Sequence, residues 1–205
     1  MEREIFKNIS YGMYVVTSSS DVKNCGCIIN TLTQITSEDP LISISLNKSN
    51  YTNKIIKKTN RFCVSIISTT TNPNLISTFG FKSSLDFDKF GSFDYEIIDN
   101  LPILKENMIG YLICEVTNII DCNTHDLIIA KVINCKLENK IEAMTYSYYH
   151  NVIKGKAPKA APTYIEEKKE NSFVCDVCGY VHTGDLPEGF RCPICGVDES
   201  HFKKQ

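Results

Sequence analysis

Signatures that would commit the chain to a common chemistry are missing from its 205 residues. No GxGxxG follows a strand, so a dinucleotide is not held in a Rossmann cradle. No P-loop, HExxH or GxSxG occurs, and hydrolysis and phosphoryl transfer have nothing to stand on. Charge of one sign is not in excess: 22 Lys and Arg face 24 Asp and Glu, for a formal net charge of −2 without a basic stripe. Nucleic acid is therefore excluded as a natural partner. No apolar run approaches the roughly 18 residues that span a membrane. The apolar stretch near the N-terminus is broken by Asn8, Ser10 and Gly12, unlike a signal peptide. A cytoplasmic protein with no membrane partner is expected. Internal repeats are also absent.

Cysteine is what the chain has in quantity, with ten residues. In a reducing compartment these are not disulfides. Cys25, Cys27, Cys63, Cys114, Cys122 and Cys135 lie mostly in apolar segments, where a reduced cysteine packs as a small hydrophobe. A redox pair at Cys25-Gly-Cys27 is the sharper alternative. The other four form two knuckles, Cys175-Asp-Val-Cys178-Gly and Cys192-Pro-Ile-Cys195-Gly. Four thiolates in two CxxC pairs can close a tetrahedral sulfur shell, which suits iron or zinc. Gly179 and Gly196 can turn the backbone through positive φ and aim amides at sulfur. So short a tail cannot bury enough apolar surface alone, so either metal would hold it together, around Tyr180, Phe190 and Phe202. Spacing identifies a metal site and leaves iron and structural zinc both open.

The segments CDVCGYVH, GDLPEGF and CPICGVDESHF stand in the order of the rubredoxin family, and the tail resembles its short-looped members. That resemblance implies one iron on Cys175, Cys178, Cys192 and Cys195, cycling between ferric and ferrous.

The length allows one ordinary domain and a small module. We expect a domain over residues 1–150, a linker over 151–171 and the metal tail over 172–205. Three punctuators, Gly155, Pro158 and Pro162, precede the charged run Glu166–Glu170 in that linker. The first domain reads as mainly β. Leu41–Leu46 alternates with period two, and β-branched runs recur at 14–17, 25–33, 62–67, 111–120 and 127–137. Their spacing suggests a barrel or sandwich. Helices are expected at 52–59, with Thr52 as N-cap, and at 74–79 after Pro73.

Small polar donors crowd two stretches, 30–37 and 45–52, the second running as SLNKSNYT into a helix. A solvated strand face is the plain reading. A phosphate corner of hydroxyls, a lysine and helix amides is the other.

Residues 1–150 resemble the flavin reductase family, through NCGCIINTLTQITSEDPLISISLNKSNYTNKII and FGFKSSLDFDKF. The resemblance implies a split β-barrel that binds FMN or FAD, with FMN expected here. It places Asn30, Thr31, Gln34, Ser45 and Asn47 on the ring or ribityl chain. Lys48, Asn50, Thr52 and Lys89 fall around the phosphate, and Phe81 and Ser83 at the flavin edge. His125 stands near the reacting face, to orient a nicotinamide or donate a proton; its plain reading is a structural histidine. Asn-Thr-His-Asp replaces the family's Gly-Asp-His turn, and Lys131 stands where the family has glycine. His150, His182 and His201 read as surface or packing residues, and Tyr148 and Tyr149 as core or subunit-contact aromatics.

The order of modules, with the joining segment Lys-Gly-Lys-Ala-Pro-Lys-Ala-Ala-Pro-Thr-Tyr164, resembles the flavin reductase–rubredoxin fusions of anaerobes, the high-molecular-weight rubredoxins. It implies an oxidoreductase in which NAD(P)H, directly or through a rubredoxin reductase, feeds FMN, then the iron, then a diiron flavoprotein that reduces oxygen or nitric oxide. A homodimer is implied as well. A free-flavin reductase, and a flavin-binding docking protein with a structural zinc tail, are the other readings.

Overall fold

The computed structural model describes residues 3–155, 157–158, 161–164 and 172–204. Strands β1 (Tyr14–Ser19) and β2 (Asn24–Ile29) form an antiparallel hairpin in register from Tyr14 opposite Ile29 to Ser19 opposite Asn24. The apolar run expected over 25–33 divides at Asn30 and Thr31, and its end becomes β3 (Leu32–Gln34). In β4 (Leu41–Asn47) the alternating sequence buries Ile42, Ile44 and Leu46 and turns the intervening residues outward.

Helix α1 (Tyr51–Thr59) begins at Asn50, whose side chain accepts from the Thr52 amide, and stops at Asn60 in the left-handed conformation. Thr52, the expected cap, lies inside the first turn. Asparagine holds that place because its carbonyl oxygen reaches the second helical amide directly. Strand β5 (Arg61–Ile66) follows. Helix α2 (Pro73–Phe81) is capped by Asn72 and started by its proline, which has no amide to leave unpaired. Strands β6 (Tyr95–Ile98) and β7 (Leu101–Leu104) make a separate hairpin. The long pair β8 (Gly110–Cys122) and β9 (His125–Leu137) shifts register after Ile113 and again after Val116, which bends it. Helix α3 (Tyr146–Asn151), not expected, is capped by the Thr145 hydroxyl.

Seven strands pair antiparallel in the order β2-β1-β5-β8-β9-β4-β3. Val16 of β1 and Ile44 and Leu46 of β4, near opposite ends of that order, share one core cluster with Ile56, Phe62, Val64 and Ile128. A flat sheet cannot bring them together. The sheet is therefore curled into a half-barrel plugged by α1, and the fold is mainly β. A second cluster, with Val15, Leu75, Phe79, Met144, Tyr146 and Tyr149, seals α2 and α3 to the outside of β1.

The tail is a three-stranded sheet of β10 (Ser172–Cys175), β11 (Val181–Thr183) and β12 (Phe202–Lys204), ordered β11-β10-β12. Phe202 meets Tyr180 and Phe190 edge to face, the small aromatic core expected there. Of the six cysteines outside the tail, Cys25, Cys27, Cys63 and Cys114 are buried. Cys122 and Cys135 are exposed instead, in the C-terminal halves of β8 and β9, which lie at opposite ends of the paired strands. No helix among the described residues is long and apolar enough to cross a membrane.

Candidate functional site: a cavity and a four-sulfur centre

A cavity of about 370 Å³ opens where the ends of β2 and β4 meet the start of α1 and the end of α2. That is within the range of cofactor sites. Strand pairing explains the meeting: Asn47, the last residue of β4, lies opposite His125, the first of β9, so one strand end supplies amide and hydroxyl donors and the other an imidazole. Asp126, next along β9, is buried and accepts from the Asn53 amide at 2.9 Å and Lys57 Nζ at 3.0 Å. Burial alone would raise its carboxyl, but those two partners outweigh it and hold the pKa below the ordinary value. The ion pair ties α1 to β9 beside the cavity.

Nine of the twelve residues expected around the flavin line this cavity: Asn30, Thr31, Ser45, Asn47, Asn50, Phe81, Ser83, Lys89 and His125. Three lie elsewhere. Gln34 is exposed and donates to the Thr36 carbonyl at 3.0 Å. Lys48 pairs with Asp121 at 2.5 Å, drawn toward the tip of the β8–β9 hairpin by its charge. Thr52 is fully buried against the Cys25 and Cys27 thiols.

Within the cavity, Thr31 Oγ1 donates to the Ser45 carbonyl at 3.1 Å, which fixes one wall. Asn47 Oδ1 accepts from the amide and hydroxyl of Ser49 and shapes the turn into α1. His125 Nδ1 lies 2.9 Å from the Thr124 hydroxyl, while its Nε2 is buried without a hydrogen-bond partner. A buried polar atom left open in a cavity wall fits a ligand that completes it. The opening of α1, a nine-residue helix, also lines the cavity through Ser49, Asn50 and Tyr51, and such an N-terminus suits an anionic group.

Lys89 is 3% exposed and donates to the carbonyls of Gly26 at 2.7 Å and Phe79 at 3.1 Å. Burial lowers its pKa from 10.5 to about 8, with the neighbouring Cys27 and Cys25 thiols acting against the fall. Gly26 is required at this crossing, since a Cβ there would lie 2.8 Å from the Phe79 ring. Cys25 and Cys27 are both pushed up by burial, Cys25 to about 12, which leaves them protonated and unreactive.

Part of the segment expected as a linker lies against the cavity. Ala157, Pro158, Ala161 and Pro162 form one side of it. Thr163 is buried, with its hydroxyl 2.6 Å from the Tyr146 hydroxyl and accepting from the Asn30 side chain at 3.2 Å. Residues 159, 160 and 165–171 of the expected linker lie outside the described residues, as does 156. Tyr146 and Tyr149, on α3, also line the cavity. Nothing in the local pattern of YSYYH distinguishes a cavity wall from core; for Tyr146 the signal lies in the contact with Thr163.

In the tail, the sulfurs of Cys175, Cys178, Cys192 and Cys195 all lie within 4.8 Å of one another, with Cys178–Cys192 at 3.4 Å and Cys175–Cys195 at 3.7 Å. A tetrahedral metal with bonds of about 2.3 Å requires sulfurs about 3.8 Å apart, so the shell fits a metal ion. Gly179 and Gly196 hold φ of +74° and +75°, and their amides close the knuckles on the carbonyls of Cys175 and Cys192. The Cys192 thiol is pulled well below the ordinary range by the hydrogen bond from Cys178.

Residues 6–156 match the flavin reductase like domain, and residues 173–203 match the rubrerythrin, rubredoxin-like domain. The chain belongs to the flavin reductase family. It is 31% identical to the high molecular weight rubredoxin of Moorella thermoacetica, with the whole of each chain covered. The ferric-chelate reductase (NAD(P)H) of Archaeoglobus fulgidus is 35% identical over 82% of this chain and 100% of its own. In fold, the flavin reductase part resembles an NADH:FAD oxidoreductase of Streptomyces globisporus at TM-score 0.64, with 19% identity, covering 70% of this chain and 85% of that one. The protein is thus an oxidoreductase in which a flavin reductase split barrel is fused to a rubredoxin-like four-cysteine module, and its role is flavin and rubredoxin electron transfer.

Proposed function

We propose that the protein passes electrons from NAD(P)H, directly or through a rubredoxin reductase, by way of FMN in the barrel cavity to iron in the four-cysteine centre, and on to a diiron flavoprotein that reduces oxygen or nitric oxide. The observation that carries the reading is the joint presence of a flavin-sized cavity and a metal-ready sulfur shell in one chain. When bound, flavin supplies the exchange between two-electron hydride chemistry and the one-electron chemistry of an iron–thiolate centre.

The residues of this chain then have separable tasks. Asn30, Thr31, Ser45 and Asn47 hold the ring and ribityl chain, and Asn50, with the opening of α1, takes the phosphate end. Phe81 and Ser83 bound the ring edge. Lys89 braces the wall from behind through two backbone carbonyls. His125 presents a free Nε2 to orient a nicotinamide or give a proton. Ala157, Pro158, Ala161 and Pro162, with Thr163 beside them, close one side and limit the escape of flavin, which favours a resident cofactor over one released to solution. Gln34, Lys48 and Thr52 have no direct part in this reading, because their side chains engage elsewhere.

The domain division at 150 and 171 is part of the proposal, with Ala157, Pro158, Ala161 and Pro162 acting as a cavity wall before the chain reaches the tail. A cytoplasmic homodimer completes it. Ile120 near the β8–β9 turn and Ile133 and Leu137 toward the far end of β9 stand exposed, apolar side chains that a second copy would cover. Purified protein should carry about one iron and one flavin per chain by metal analysis and absorbance. Zinc in protein produced with ample iron, or no flavin after reconstitution, would remove the reading.

A further inference from the structure

Phe81 has two neighbours that the barrel alone does not explain. It lines the flavin-sized cavity at the end of α2, and it also packs against the cluster built from Cys175, Cys178 and Cys192. The contact is close. A Cβ on Gly179, the residue after Cys178, would lie 2.9 Å from the Phe81 ring. Ile153 repeats the pattern, packed against both the α2–α3 core and the sulfur cluster.

The two knuckles of the tail differ in this respect. Gly179 and Gly196 adopt the same backbone conformation, yet a Cβ on Gly196 would meet nothing within 4 Å. Cys195 is likewise the one sulfur ligand not fully buried. One knuckle faces the barrel and the other faces out.

We propose that the tail docks on its own barrel through the Cys175–Gly179 knuckle, with Phe81 as the shared wall between cavity and metal centre, and that the Cys192–Gly196 knuckle is the exit face for an electron-accepting protein. The inference rests on the electron-transfer reading above and gives it a direction. One electron crosses at a time. Ferric iron becomes ferrous at the expense of one electron from reduced flavin, any proton released goes to solvent, and the acceptor protein reoxidises the iron before the second electron follows. Phe81 is a positioning residue in this scheme. It holds the two centres at a fixed separation, which a merely tethered tail would only sample.

The matched glycines provide the test in the full-length, metal- and flavin-loaded protein. Gly179→Ala and Gly196→Ala carry a similar backbone cost, because both positions need positive φ. Only the first pushes a methyl group into Phe81. Amide hydrogen exchange at residues 79–84 should rise in Gly179→Ala and not in Gly196→Ala. Flavin-to-iron transfer in stopped flow should slow about tenfold or more in Gly179→Ala, as a docked pair becomes a tethered one. Phe81→Ala, which leaves the tail sequence intact, should raise exchange at residues 176–180 while the ferric–thiolate absorbance stays. If Phe81→Ala changes exchange at neither segment, or the two glycine variants behave alike, the docking is overturned. A parent protein that shows this exchange pattern but moves no electron from flavin to iron would keep the docking and overturn the electron-transfer reading instead.

Discussion

Lys89 illustrates how the charge of a side chain and its partners can point to different roles. Its place in the sequence suggested a phosphate ligand, but two backbone carbonyls hold its ammonium in the wall between β2 and α2. Burial lowers its pKa from 10.5 to about 8, so the unfolded chain holds the proton more tightly than the folded one. Stability therefore rises with pH between those two values, as the charged form that burial disfavours disappears. Lys89→Met should cost about 1–3 kcal/mol by leaving two buried carbonyls unpaired. In denaturant melts the advantage of the parent over this variant should grow from pH 7 to pH 10; an advantage that shrinks would contradict the assignment. His125 supports a second prediction at this scale. With Nε2 open and buried in the cavity wall, His125→Ala should retain flavin while slowing reduction by NADH by roughly 10²-fold or more, as for a lost proton donor. Equal rates in the two proteins would return His125 to a structural role.

Elements show where local pattern suffices and where it fails. Leu41–Asn47 alternates so regularly that strand and buried face follow from the residues alone, and Pro73 with Leu75, Ile76 and Phe79 marks α2 as plainly. Asn50 against Thr52 is a finer matter. Both are good capping residues, and only the turn that Asn47 and Ser49 build into α1 decides between them. Asn50→Ala should cost about 1 kcal/mol of stability and weaken flavin binding as well; loss of stability with unchanged flavin affinity would separate the cap from the site. The cavity wall formed by Ala157, Pro158, Ala161 and Pro162 was not legible. Its prolines and alanines read as a linker, and what orders it is a hydroxyl contact to Asn30, 133 positions away in sequence, and to Tyr146. Lys48 and Gln34 were misleading for the same reason. Neighbours along the chain put them beside the site, whereas a distant aspartate in one case and a local turn in the other take their side chains elsewhere. Thr163→Val removes the latch without changing size. Flavin should dissociate about fivefold more readily, the worth of about one hydrogen bond. Fluorescence of released flavin on dilution measures this directly, and an unchanged off-rate would show that the stretch does not retain the cofactor.

At the scale of the whole molecule, two modules with different sources of stability share one chain. The barrel rests on a buried apolar core, whereas the tail, residues 172–205 by our division, depends on its sulfur shell, since metal binding and folding are one equilibrium in so small a unit. Cys192→Ser should therefore abolish the metal and melt the tail while flavin binding in the barrel persists, as read by absorbance and by exchange over residues 172–204. Joint loss of flavin would show that the barrel needs the docked tail to hold its site. The measurement that goes furthest is an anaerobic titration of the full-length protein with NADH, then dithionite, following flavin and ferric–thiolate bands together. Internal electron transfer predicts that both bands bleach, and that the iron band falls as soon as flavin is reduced, whichever donor achieves it. Flavin that bleaches fully while the ferric–thiolate band remains, or a spectrum with no iron band at all, would contradict it.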